Sequence, residues 1–139
     1  SHATYANIKR EGCFTVSFPR PDQIVLTSLA AAPRCEDDHK HALQAIPTVP
    51  ASKIDGVLLD HAYLHFECEL DRIIDGFGKN SLIVGKIVAA AAAADSLRDQ
   101  ERDAQEMIAH SPMLAYLHPG RFAEIVHTNA FPYHVGFKR

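Results

Sequence analysis

The chain has 139 residues, 47% of them apolar, which is enough for one buried core and too little for two independent ones. Charged residues make up 22% and the formal net charge is -3, so no strong field draws the chain to nucleic acid or to an anionic membrane surface. The longest apolar stretch, Ile87 to Ala94, is mostly alanine and falls far short of the roughly 20 residues that cross a bilayer, so no membrane partner is expected either.

Along the chain, Ser1 to Tyr5 offers neither a basic start nor an apolar run, so no secretory signal is visible there. The absence of an initiator Met leads us to expect further residues upstream. From Cys13 to Phe18 the residues alternate, Phe14, Val16 and Phe18 on one side and Cys13, Thr15 and Ser17 on the other, as a half-buried strand requires. Pro19-Arg20-Pro21 stops that strand, and Asp22 suits the first turn of a helix running to about Ala32. Ala32 to Ser52, with Pro33, Pro47 and Pro50, reads as a long surface excursion and a candidate lid, with one short helical turn from Asp38 to Ala45.

The clearest periodicity runs from Tyr63 to Asp71: Leu64, Phe66, Cys68 and Leu70 point to a core, and His65, Glu67 and Glu69 point out. The Asp75 to Asn80 turn then leads into Ser81 to Ala90, an apolar β-branched run expected to be buried on both faces, and the two strands form an antiparallel hairpin. Ser96, with Asp99 three residues on, predicts a surface helix that Pro112 ends. Met113 to Leu117 and Arg121 to Val126 are further strands, broken by His118-Pro119-Gly120, and the tail from His127 on is aromatic and aperiodic. One domain over residues 1–139, of the β-rich α+β class, with an antiparallel barrel and peripheral helices, accounts for this order.

Few residue patterns carry chemistry by themselves. Cys13, Cys35 and Cys68 are odd in number and widely spaced, which disfavours a disulfide framework or a thiolate zinc site and fits a reducing cytoplasm. His39 and His41 lie close to Glu36, Asp37 and Asp38, yet a proline-flanked loop without metal-ligand spacing reads as a solvated polar segment, so no metal is expected. Glu67 and Glu69 read as solvated carboxylates. There is no G-x-S-x-G, no activated Cys, no G-x-G-x-x-G after a strand and no phosphate loop, and no catalytic side chain stands out. The opening residues Ser1, His2 and Thr4 supply two hydroxyls and an imidazole suited to gripping a phosphate.

Ser1 to Val16 resembles the S-x-x-T-Y-x-N-I-x-x-x-G-x-F-x-V segment of flavin reductase-like proteins. Ala62 to Leu70 is similar to the strand whose centre reads H-L-E-C in many members, Ile83 to Val88 to the I-x-G-x-[IV]-V strand after the hairpin, and Tyr116 to Ile125 to the Y-L-x-P-G-R-[FY] ending. These pieces occur in order over nearly the whole chain. The resemblance implies an FMN-binding split β-barrel with peripheral helices, assembled as a homodimer, holding FMN or in some members FAD, reduced by NAD(P)H or another electron source. It places Ser1, His2 and Thr4 at the flavin phosphate, and Arg121 and Phe122 close to the cofactor and converging with them on one pocket. Asn80 and Ser81 take the hairpin position where other members often carry histidine.

Members of this family carry early strands upstream of the position of Ser1, so the domain is expected to be N-terminally incomplete relative to the family. The expected activity is hydride transfer from nicotinamide to FMN, since the flavin supplies the redox chemistry and the protein holds and orients it. The alternatives are a flavin-binding electron carrier that serves a protein acceptor, and a non-catalytic split-barrel dimer that has lost the cofactor.

Overall fold

The computed structural model describes residues 3–31, 40–98, 101–129 and 132. Contacts divide the chain into two compact units, Ser1–Ala94 and Asp95–Arg139.

The first unit opens with helix α1 (Ala3–Glu11), which a reading of hydrophobic periodicity misses because its only buried residue is Ile8. Lys9 and Arg10 in its last turn complement the helix dipole, and Gly12, at φ +69°, closes it with an N–H donated to the Ile8 carbonyl at 3.0 Å. Strand β1 (Cys13–Phe18) follows directly, as the alternation predicts. The predicted helix after Pro21 is three short pieces: a 3-10 turn Pro21–Gln23, helix α2 (Ile24–Ser28) and a 3-10 turn Leu29–Ala31. Gln23 fixes its start, accepting from the Arg20 N–H at 2.9 Å and donating to the Asp60 carbonyl at 2.7 Å.

The first part of the proposed lid, residues 32–39, which includes Cys35, Glu36, Asp37, Asp38 and His39, lies outside the described residues. What is described is a 3-10 turn His41–Ala45 and a short strand β2 (Thr48–Pro50), which pairs antiparallel with β3 (Val57–Leu59). The long hairpin is β4 (Leu64–Phe77) and β5 (Asn80–Ala92), both longer than the sequence indicates, joined at Gly78-Lys79 with Gly78 at φ +68°. Together with β1 they form a three-stranded antiparallel sheet in the order β1-β4-β5.

The β1–β4 register pairs Phe14 with Cys68, Val16 with Phe66 and Phe18 with Leu64, so one face is apolar, and the Phe18 and Phe66 rings meet edge to face at 5.4 Å. The other face carries Cys13, Thr15, Ser17, His65, Glu67 and Glu69. Here the sequence reading is corrected: part of this polar face is covered by the β2–β3 hairpin. Thr15 donates its hydroxyl to the Val57 carbonyl at 2.7 Å, Ser17 Oγ accepts the Leu59 N–H at 3.1 Å, and Cys13 Sγ lies 3.5 Å from the Asp55 carbonyl. Every second side chain of β1 thus meets every second backbone group of residues 55–59. The covering strand supplies Leu58 and Leu59 to the small core, which also holds Ile8, Ala62 and Cys68.

The expectation that the strand after the hairpin is buried on both faces is also corrected. β5 is an edge strand, and its β-branched run leaves Leu82 53% and Ile87 52% exposed. Its glycine has a specific reason: a Cβ at Gly85 would run into the Phe14 ring, which crosses β4 to lie over it, and would sit 3.1 Å from Cys68 Cβ.

The second unit contains a 3-10 turn ending at Ser96, helix α3 (Ala104–His110), and a two-stranded antiparallel pair, β6 (Met113–Leu117) and β7 (Arg121–Ile125). The helix expected from Ser96 begins instead at Ala104, with Asp103 as its extended N-cap residue. Serine and aspartate before it compete for backbone hydrogen bonds and favour turns over helix. Gln105 ties α3 to the chain after β7, donating to the Val126 carbonyl at 2.9 Å and accepting from the Thr128 N–H at 2.7 Å. The tail aromatics Phe131, Tyr133 and Phe137 lie outside the described residues.

Gly85→Ala is expected to destabilise the chain by about 1–3 kcal/mol through overpacking against Phe14. Thermal denaturation checks it, and Phe14→Leu in the same chain should recover part of the loss by making room for the new methyl group.

Candidate functional site

Ser1 and His2 lie outside the described residues. Thr4 sits exposed in the first turn of α1, where helix geometry leaves backbone N–H groups without intrahelical acceptors. A hydroxyl beside such N–H groups, at the positive end of a helix, is a donor set that fits a phosphate.

Asn80 and Ser81 begin β5, both exposed, with Asn80 paired to Phe77. The structure brings this hairpin end to α1 through Asp75, a residue that the sequence reading treats only as part of a turn. Tyr5, next to Thr4, donates its phenol to Asp75 Oδ2 at 3.2 Å, and Ser81 donates its hydroxyl to Asp75 Oδ1 at 2.5 Å. The arrangement depends on a register shift: Ile74 pairs with Leu82 and Phe77 with Asn80, so Asp75 and Gly76 together oppose Ser81, and Gly76 takes φ +108°. Lys9 stands 5.9 Å from the centre of the Tyr5 ring, one turn further along α1. Two glycines close to an aspartate at a hairpin end are the sequence signal that could have pointed to the bulge.

Arg121 and Phe122 belong to the second unit. They open β7 opposite Leu117 and Tyr116, after a turn with a cis His118-Pro119 bond and Gly120 at φ +62°. Arg121 is exposed, and Phe122 is 50% and Tyr116 72% exposed, so this turn presents a cation and two aromatic rings to its surroundings.

The first unit also holds a polar cluster beneath its β2–β3 cover. Glu67, expected to be solvated, is only 4% exposed. Its Oε1 accepts the Ser52 N–H and hydroxyl, both at 2.9 Å, and its Oε2 accepts the N–H groups of Lys53 at 2.6 Å and Ile54 at 3.3 Å. The Ser52 N–H does most to hold this carboxyl below the usual glutamate range, burial works against it, and the remaining bonds add to the lowering. His65 is half-buried, with Nδ1 3.1 Å from Ser17 Oγ; burial lowers its pKa and Asp60 opposes the shift. The same Ser17 oxygen also accepts the Leu59 N–H, so the Ser17–His65 pair helps to seat the cover strand. Cys68 is buried, which pushes its thiol pKa up and leaves it inert.

Within the described part of the proposed lid, Lys40, His41, Leu43 and Gln44 line an open depression of about 420 Å³.

Residues 1–125 match the family model described as a flavin reductase like domain. The chain belongs to the flavin reductase-like family. Solved structures agree on the fold of this flavin reductase-like chain. It is similar to the 2-nitrobenzoate 2-nitroreductase of Pseudomonas fluorescens, at 18% identity over 98% of this chain and 66% of that one, with a TM-score of 0.74. It is also similar to nitrilotriacetate monooxygenase component B of Bacillus cereus, at 18% identity over 94% and 65% of the two chains, with a TM-score of 0.75. Flavoredoxin of Desulfovibrio vulgaris (Miyazaki F) gives 19% identity over 99% and 72%, with a TM-score of 0.73. The fold is therefore the split-barrel fold of these proteins, β-rich with few helices, and the chain spans about two thirds of the length of the first two. No curated protein sequence matches it. No helix among the described residues is long and apolar enough to cross a membrane.

Glu67→Gln is expected to lower the melting temperature at neutral pH by several degrees, because an amide turns a donor toward loop N–H groups that need an acceptor. Glu69→Gln, exposed on the same strand, should change it little. The folded pKa of Glu67 is depressed, so its stabilisation is complete above the usual glutamate range of the unfolded chain and is lost as pH falls through the lower folded value. Melting curves between neutral and strongly acid pH should show this loss in the parent chain and a shallower one in Glu67→Gln.

Proposed function

We propose that the chain is the flavin-binding part of an oxidoreductase that passes a hydride from NADH or NADPH to FMN. The observation that carries this reading is the family match over residues 1–125, joined to an exposed helix start and hairpin end suited to a phosphate-bearing cofactor. Thr4, with Ser1 and His2 before it, would hold the flavin phosphate; Asn80 would offer a donor at the hairpin beside Ser81, whose own proton goes to Asp75, and Arg121 and Phe122 would lie close to the cofactor. Bound flavin supplies the electron and hydride chemistry. The chain's own work is to neutralise the phosphate charge through short donors, to orient the ring and to leave one face accessible. That division of labour needs no strongly activated side chain.

A second copy of the chain is proposed to cover the apolar side chains of the β4–β5 hairpin, where Phe77 is 59%, Leu82 53% and Ile87 52% exposed. The likeness to a protein named as a monooxygenase component supports a protein that takes up the reduced flavin. Likeness to flavoredoxin favours a second reading, a flavin-binding carrier that exchanges electrons with a protein and needs no nicotinamide. We place either activity in the cytoplasm, on the strength of the odd number and wide spacing of the cysteines.

The purified protein is expected to bind FMN and to oxidise NADH or NADPH when FMN is added, measured by flavin fluorescence quenching and by loss of reduced-nicotinamide absorbance. Flavin binding without nicotinamide oxidation would replace the leading reading with the carrier. A colourless protein that binds neither FMN nor FAD would leave a split-barrel dimer without a cofactor.

A further inference from the structure

We propose that Asp75 is a positioning residue for cofactor phosphate recognition, acting through Tyr5 to set the first turn of α1 against the β4–β5 hairpin; this rests on the flavin reading above.

The argument begins with the backbone. α1 has little to hold it: only Ile8 of its nine residues is buried, and Thr4 in its first turn is exposed. Its C-terminal end is fixed by the Gly12 cap and the immediate start of β1. At the first turn, the hydrogen bond from the Tyr5 phenol to Asp75 spans 70 positions of sequence and supplies a tether. Phosphate recognition by short donors requires those donors to be placed before the ligand arrives, since ordering them on binding costs affinity.

Asp75 is itself placed by two features. The bulge sets Asp75 and Gly76 against the single residue Ser81, and the Ser81 hydroxyl occupies Oδ1, leaving Oδ2 for Tyr5. A carboxylate that accepts from both elements couples the two segments assigned to the flavin by resemblance, although it is not itself among the assigned residues. Removing it would leave the fold in place, since Asp75 is exposed, and would loosen the helix start.

FMN and riboflavin share the ring and differ by the phosphate, so their affinities separate a phosphate-positioning role from a general one. For the full chain, Asp75→Ala is expected to weaken FMN binding about threefold to tenfold, the scale of one net hydrogen bond, and to leave riboflavin binding unchanged. Tyr5→Phe should reproduce most of that loss, and the double variant should lose no more than Asp75→Ala alone. If Asp75→Ala fails to fold, Tyr5→Phe, which removes one hydroxyl, carries the same test. Equal FMN affinity in parent and variants overturns the inference, and so does an equal loss for FMN and riboflavin. A parent chain that binds neither flavin overturns the functional reading itself, a result distinct from both.

Discussion

The first unit depends on a carboxylate whose lone pairs are taken up by a turn of backbone. Glu67 lies on the central strand of the sheet, and three successive N–H groups and one hydroxyl from residues 52–54 converge on its two oxygens. A buried anion is tolerable only when it is so thoroughly solvated by the protein, and buried amides are tolerable only when they find acceptors. Each side of this contact therefore requires the other, and the short β2–β3 hairpin, too small to be stable by itself, gains a fixed seat on the sheet. Leu58 and Leu59 enter the core from that seat.

The sheet beneath has two faces with different bonding. On one, the Phe18 and Phe66 rings meet edge to face, and a glycine on the edge strand receives the Phe14 ring. On the other, hydroxyl, thiol, imidazole and carboxylate groups meet backbone and each other. Acid acts on the second face only, and both of its shifted groups respond with the same sign: His65 and Glu67 have lowered values, so each stabilises most at higher pH. The helix start and the hairpin end, where the flavin reading places its donors, hang on Tyr5, Asp75 and Ser81 at the exposed end of the same unit.

Much of this was legible in the residues. Alternation located β1 and the first half of β4 with the correct face assignments, and the glycines near Asn80 located the hairpin. Alternation separates two faces without saying which is covered, so the polar face, with Glu67, read as solvent-facing. The cover was hidden because β2 is three residues long and ends at a proline. Helix α1 escaped because burial of Ile8 alone leaves no period to detect. Thr4 is proposed from its donor chemistry together with the family resemblance. The role proposed for Asp75 rests on a register shift to which only the neighbouring glycines point in the sequence.

The side-chain ladder from β1 has a further consequence for the outer edge of β3. β2 occupies one edge of that strand, and the opposite edge would present the Val57 carbonyl and the Leu59 N–H to any passing extended chain. Thr15 and Ser17 occupy those groups instead, which removes them as pairing partners without a further strand, a charge or a proline being placed there. Two hydroxyls thereby occupy one edge of the β2–β3 pair.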